Sequence, residues 1–351
     1  MLFYLILALI PLWTCHKYEL VSEYQKNLGI RNKYLFWSMF VVFAAIALRH
    51  SSIGTDTGGY LEDFLRFGKL GWQDAIDDTR QESGFVIFTK LTSFITSSSK
   101  IYQIIYTLIY FTCYYQFAKR LEGKLPFYFL FYFVTLGEFT FFLTGVRQCI
   151  AISLCLLSFR YVMEKKWYYF AAIMTLAFTF HHSVVLFFIV YPMANLKVTK
   201  YNMILYLIVL YFASTYLLEA QMYLNDRLDY NYEIEETEDS GMIFLLLISI
   251  LSFLSYHIVF KSKSIGRFMV AVFNVNIVTL FFWFLRLQTR VAERPSFYFL
   301  PLSCVLFAYM LRDCKNAMLR LGIIAIPFLY YTYRFFTTFK LFVPYKTFFF
   351  E

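Results

Sequence analysis

The chain has 351 residues, 60% of them hydrophobic and 16% charged, with 44 Phe and 30 Tyr. Soluble domains run nearer ~25% charged and ~45–50% apolar, and they have no place to hide so much aromatic surface; a bilayer does, and its interfaces favour Tyr and Trp. The net charge of +9 lies in short loops between apolar runs, so it reads as membrane orientation and not as a nucleic-acid surface.

In chain order, apolar runs long enough to be candidate spans cover Leu2–Thr14, Tyr34–Leu48, Ile101–Ala118, Leu125–Leu143, Val146–Val162, Trp167–Phe180, Ser183–Ala194, Tyr201–Leu218, Met242–Phe260, Phe268–Leu285, Ser296–Leu311 and Leu319–Phe339. The first run lacks a basic leader and a small-residue cleavage site, so it reads as a retained helix and not as a signal peptide. A weaker amphipathic run, Gly84–Ser97, is expected to lie along the interface or dip into the bilayer. The expected fold class is all-α, a polytopic transmembrane bundle of about 10–13 helices. One integral membrane domain is expected to fill residues 1–351, with two longer outer loops, 49–83 and 219–241.

Charge tests this map. Lys and Arg collect in alternate loops, as at Lys119/Arg120/Lys124, Lys165/Lys166 and Arg312/Lys315/Arg320, which marks those loops as cytoplasmic. The two long loops are instead acidic: the first carries Asp56, Glu62 and Glu82, and the second Glu233, Glu235 and Glu236. Both long loops and both termini are then expected on the non-cytoplasmic side.

Ionisable groups at membrane depth cost at least ~2.5–3.5 kcal/mol and therefore point to function. Arg147 opens the fifth span at its outer end, where orientation does not require a cation. It reads either as an anion site or as an ion pair with Glu138 at the end of the preceding span. Arg286, Arg290 and Arg294 are spaced to share one helical face. Their repulsion calls for an anion; Glu293 offsets one, and a phosphate or pyrophosphate would offset more. The alternative is a snorkelling interfacial cluster. His181 and His182 lie at the outer end of the sixth span, and His181 suits a general base or a phosphate donor. The first outer loop opens with Arg49 and runs through Gly54, Gly58 and Gly59, whose amides are suited to an anion. Asp56 and Glu82 are its best-placed carboxylates, with solvated loop charge as the plain alternative.

The six cysteines show no paired spacing and read as small core residues, not disulfides or metal ligands. There is no Walker motif, zinc spacing, Gly-x-Ser-x-Gly elbow or haem signature, so no metal or cofactor is expected. The short cytoplasmic loops leave no room for a nucleotide-sugar domain. Chemistry at the outer face would need a substrate that brings its own activated leaving group, as a lipid diphosphate does.

The same positions carry a resemblance. Gly54-Thr-Asp-Thr-Gly-Gly-Tyr60, Glu82-Ser-Gly-Phe85, Arg147-Gln-Cys-Ile-Ala-Ile-Ser-Leu154, Phe180-His-His-Ser183, Arg290 followed by Tyr298-Phe299, and Pro344-Tyr345 make the chain similar to the EpsG branch of the Wzy-type bacterial polysaccharide polymerases. Glu293-Arg294-Pro295 is more charged than the family pattern and puts the local helix start in question. The resemblance implies a glycosyltransferase, without metal or cofactor, in the bacterial cytoplasmic (inner) membrane. It would join undecaprenyl-diphosphate-linked oligosaccharide repeats, both donor and acceptor, on the outer leaflet. Membrane lipid, a chain-length regulator and a flippase of the same pathway are the implied partners. The product class, whether capsule, exopolysaccharide or O-antigen, stays open. In this reading Arg147 and Arg290 bind the donor pyrophosphate, Arg286 or Arg49 assists, and the base is one of His181, Glu82 and Asp56. Two rivals are a flippase of lipid-linked sugars and a membrane acyltransferase. Mostly apolar span centres argue against the first, and the outward position of His181 argues against the second.

Overall fold

The computed structural model describes residues 1–22, 28–77, 79, 81–197, 200–228, 240–260 and 266–350. Of the second expected outer loop, 219–241, residues 229–239 lie outside the described residues. The protein is about 81% helical, with no strand among the described residues. It forms two compact units: Met1–Val185 with Met318–Glu351, and Leu186–Ala317.

The first unit holds α1 (Leu2–Ser22), α2 (Leu28–Ala47), α3 (Thr57–Lys69), α4 (Trp72–Asp77), α5 (Ser83–Ile95), α6 (Ser99–Ala118), α7 (Leu125–Thr135), α8 (Glu138–Phe141), α9 (Val146–Met163) and α10 (Trp167–Phe180). The second holds α11 (Val190–Met193), α12 (Lys200–Leu228), α13 (Ser240–Ser255), α14 (Arg267–Leu285), α15 (Glu293–Ser296) and α16 (Leu300–Asp313). Helix α17 (Ala317–Phe336) returns the chain to the first unit.

Helix occupies each of the twelve expected spans, but not as twelve straight rods. Four stretches are long and apolar enough to cross a bilayer by themselves: α2, α9, residues 241–259 and α14. A fifth forms if the turns at Arg290–Ser296 and α16, bent by 65° to each other, count as one span. The rest are shorter for local reasons. Gly137 adopts a left-handed φ of +89° that no other residue takes cheaply, and it splits Leu125–Leu143 into α7 and α8. Residues of α7 are all buried, so protein, not lipid, covers this broken stretch, as an interrupted helix at membrane depth requires. The expected Ser183–Ala194 span is a 3₁₀ run, His182–Ile189, followed by α11.

The first expected outer loop is structured. Thr57, Tyr60, Phe64 and Phe67 recur at helical spacing and form the buried stripe of α3, as an amphipathic surface helix does. Helix α5 has 13 residues, fewer than the ~17 a span needs. Helix α6 buries Tyr102, Tyr106, Tyr110 and Tyr114, one per turn and each fully covered. Each hydroxyl has a partner: Thr89 Oγ1 at 3.0 Å, the Arg49 guanidinium at 3.0 Å, the Val146 carbonyl at 3.1 Å, and the Glu138 carboxyl.

The C-terminal segment straps back onto the end of α2. Tyr345 stacks on Phe3 with centroids 4.0 Å apart and donates to the Ala45 carbonyl at 2.9 Å. The His50 N–H donates to the Lys346 carbonyl at 2.9 Å, and the Phe348 N–H to the Leu48 carbonyl at 3.1 Å. All six cysteines are buried and free.

Candidate functional site

Arg147 occupies the first turn of α9. The positive end of a helix disfavours a cation there, so a counter-charge is required. Glu138, the neighbour in sequence, does not supply it. The left-handed turn at Gly137 sends Glu138 into the interior, where the Tyr114 hydroxyl donates to it. The ion-pair reading with Glu138 is therefore corrected: the partner of Arg147 is Glu82, to which its guanidinium donates directly.

Glu82 stands at the N-cap position of α5, yet its side chain makes no capping bond. Its carboxylate is used elsewhere. One oxygen takes the Arg147 guanidinium; the other accepts from His181 Nδ1 at 2.7 Å and from the His182 backbone N–H at 3.4 Å. Three motif segments, far apart in sequence, thus meet on one carboxylate. The glycine of Glu-Ser-Gly-Phe makes this approach possible. A Cβ on Gly84 would clash with the Thr179 side chain and come within 2.7 Å of its carbonyl, so only glycine lets α5 lie this close to α10. Helix α10 ends one residue later, and His181 caps it in extended conformation.

The cluster is shielded without being sealed. The Glu82 side chain is 6% exposed, His181 19% and Arg147 26%. Burial works to raise the Glu82 carboxyl, but the His181 hydrogen bond and the Arg147 charge outweigh it and hold it at about 2. Its charge is secure across the physiological range. With Glu82 accepting at Nδ1, the His181 ring keeps that nitrogen protonated and presents Nε2 as the basic atom.

Tyr60, which the sequence reading quoted only as the end of a motif, joins the same cluster. Its hydroxyl accepts from Arg147 Nε at 3.4 Å, and the guanidinium lies 6.0 Å from its ring centroid. Burial pushes its hydroxyl up, with Arg147 opposing. The signal was its place one helical turn after Asp56, on the buried stripe of α3. Asp56 itself is exposed at the N-cap of α3 with no side-chain capping bond, close enough for its charge to act on Tyr60.

Arg49 is fully buried and held by neutral groups: the Ile46 carbonyl at 2.5 Å, Tyr106 Oη at 3.0 Å and Thr57 Oγ1 at 3.3 Å. Gly54, at φ +95°, packs against the Leu143 carbonyl, which also accepts from Thr57 Oγ1 at 2.9 Å. Gly58 and Gly59 lie in the first turn of α3, not in an open glycine loop.

In the second unit, Arg286, Arg290 and Arg294 do not share one helical face. Helix α14 ends at Leu285, Arg290 opens a 3₁₀ turn and Arg294 lies in α15. This corrects the i, i+4, i+8 expectation, and it places the start of the following helix at Leu300 rather than Ser296. Arg286 is buried and its Nε donates to Glu293 at 3.2 Å. Gly241 makes room for it: a Cβ there would lie 2.7 Å from the guanidinium carbon. Among the described residues, no group of three or more His, Cys, Asp or Glu is placed to hold a metal ion.

No curated protein and no solved structure matches this chain. The EpsG family model matches residues 32–347, a stretch that includes Glu82, Arg147, His181 and Arg290, and the chain belongs to the EpsG family, membrane proteins of polysaccharide biosynthesis.

Proposed function

We propose that the protein is a polysaccharide polymerase, a glycosyltransferase that joins undecaprenyl-diphosphate-linked oligosaccharide repeats at the outer face of the bacterial cytoplasmic membrane. The observation that carries this reading is the convergence of Arg147, His181 and Tyr60 around the Glu82 carboxylate. It joins a cation for a leaving phosphate to a base for an incoming hydroxyl.

In this mechanism His181 is the general base and Glu82 positions it. Glu82 fixes the His181 tautomer through Nδ1 and leaves Nε2 to take the proton of the acceptor hydroxyl. The acceptor oxygen bonds to the anomeric carbon of the donor sugar. The bond from that carbon to the phosphate oxygen breaks, and the lipid diphosphate leaves with the electron pair. Arg147 faces the growing negative charge. A cation placed before the reaction stabilises that transition state more than the ground state. Tyr60 and Glu82 hold the guanidinium in place, which reduces the reorganisation needed at the moment of bond breaking. Asp56, exposed at the N-cap of α3 and making no bond to the Glu82 carboxylate, is a sugar-contacting residue in this reading and not the base.

Arg147→Ala tests the proposal in a strain that lacks the native gene. Loss of long-chain polymer, with single lipid-linked repeats accumulating and the protein still inserted in the membrane, supports it. Polymer of normal length removes Arg147 from the mechanism. Repeats trapped on the inner leaflet in the deletion strain would indicate a flippase, and full-length unacylated polymer an acyltransferase.

A further inference from the structure

The run Phe180-His-His-Ser183 carries two histidines, and the mechanism above uses only His181. The second is tied to the same carboxylate through its backbone. The His182 N–H donates to Glu82 Oε1 at 3.4 Å, and His181 Nδ1 lies 2.7 Å from that same oxygen. Arg147 takes the other oxygen, Oε2. The carboxylate thus has two sides, and His182 stands on the side of the base, not on that of the cation.

His182 is exposed where Glu82 is buried. Its ring leans on Phe178, four residues earlier in the last turn of α10, with centroids 4.7 Å and planes 33° apart. Phe178 is itself 41% exposed. Among the described residues, neither nitrogen of the His182 ring has a hydrogen-bond partner. The side chain is nonetheless held from two ends, by Glu82 at its backbone and by Phe178 at its ring. A side chain already held loses little further freedom when a ligand arrives. Both residues belong to the first unit, as the Glu82 cluster does. The pair joins an open apolar ring to a polar edge, and sites for ring-shaped ligands are built from aromatic surface with a few polar groups. In its neutral form an imidazole has one donor and one acceptor nitrogen. A sugar hydroxyl also both donates and accepts, whereas an ionised phosphate oxygen only accepts.

We propose that Phe178 and His182 form the contact surface for the acceptor sugar, with Phe178 against the apolar face of the sugar ring and His182 bonded to a hydroxyl beside the one that reacts. The sugar rests on the polymerase reading above. The arrangement puts the acceptor on the His181 side of Glu82 and the leaving diphosphate on the Arg147 side. The pair selects and orients the acceptor; it takes no proton in the bond-forming step.

The test uses the full chain in nanodiscs and two probes read by NMR. One is the free oligosaccharide released by mild acid from lipid-linked repeats of the native strain, which carries the acceptor's sugars without diphosphate or lipid. The other is inorganic pyrophosphate. His182→Ala and Phe178→Ala should each weaken oligosaccharide binding about three- to tenfold, as loss of one hydrogen bond or one ring contact does, and leave pyrophosphate binding unchanged. His182→Gln, which keeps a donor and an acceptor, should restore most of the loss. Arg147→Ala should show the opposite pattern. In turnover, both alanine variants should raise the half-saturating concentration of lipid-linked repeat and keep the saturated rate, since a contact made equally in ground and transition states acts on KM alone. Both side chains are exposed, so the unfolding midpoint should hold. Unchanged oligosaccharide binding in both alanine variants would overturn the proposal and leave Phe178 and His182 a pair that faces lipid. Loss of pyrophosphate binding in His182→Ala would overturn it as well, by moving His182 to the leaving-group side. Normal polymer length in Arg147→Ala would instead defeat the polymerase reading, and oligosaccharide binding that still depends on His182 and Phe178 would leave the sugar site standing.

Discussion

The Arg147 and Arg286 clusters differ in where the counter-charge comes from. Glu82 reaches Arg147 from 65 residues away and His181 from 99. Glu293 reaches Arg286 from seven residues away, across one chain reversal. The first arrangement exists only once α3, α5, α9 and α10 have packed. The second is built largely by local chain geometry, with Gly241 giving it room. A carboxylate recruited over such a distance, shared by a guanidinium and an imidazole, is an expensive arrangement for stability alone. It marks the first cluster as the place where the fold assembles chemistry.

Glu82→Gln should break the contrast most strongly. It leaves Arg147 and His181 without their shared charge. The expected cost is roughly 3 kcal/mol, the low end for severing a buried pair, because Arg147 stays 26% exposed. Polymer should disappear as well. An unfolding midpoint within one degree of wild type would show that the cluster is held by other contacts.

His181→Gln separates chemistry from stability. The turnover rate of purified enzyme should fall about 10²–10⁴-fold, while the unfolding midpoint moves little. Equal losses in rate for His181→Gln and for a remote surface variant would remove the base.

Glu293→Gln in the second unit should cost about 2 kcal/mol, the range for a hydrogen bond to a charged group, without changing the order of the chemical steps. If it abolishes polymer as completely as Glu82→Gln does, the distinction between a catalytic and a structural cluster fails.

Acid sharpens the comparison further. The folded Glu82 carboxyl is held at about 2, below its ordinary value of 4.5. A lowered folded value stabilises the protein above the ordinary value, and this stability is lost as the pH falls through 4.5 toward 2. Wild type should therefore lose stability over that window more steeply than Glu82→Gln. Identical acid limbs would mean that Glu82 does not titrate as its contacts require.

Tyr60→Phe should have the smallest effect. It removes the 3.4 Å hydrogen bond to Arg147, worth about 0.5–1.5 kcal/mol, but keeps the ring beneath the guanidinium. A modest fall in rate, measured with saturating donor, is expected.

Much of the site was legible in the chain. The placement of Arg147 and His181 at the ends of apolar runs expected to face outward drew attention without any fold, because charge in a membrane protein needs a reason. The choice of partner was not legible. Glu138 lies nine residues from Arg147 and was the one counter-ion the sequence offered, as the alternative to a bound anion, but Gly137 turns it inward to Tyr114. The Arg286 group looked periodic, yet its spacing spans a helix end, a turn and a bend, and periodicity carries no information across a break. Pro344-Tyr345 read as a bare motif; its role as a strap depends on Phe3 and Ala45, some 300 residues earlier.

Composition and apolar runs alone determined that this is a helical membrane protein, because residues that cannot be hidden in water must face lipid or one another. The motifs in their order determined its family. Only the tertiary structure decided which charges compensate which. Charge pairing is set by distances of a few ångströms between segments remote in sequence, and those distances are products of packing.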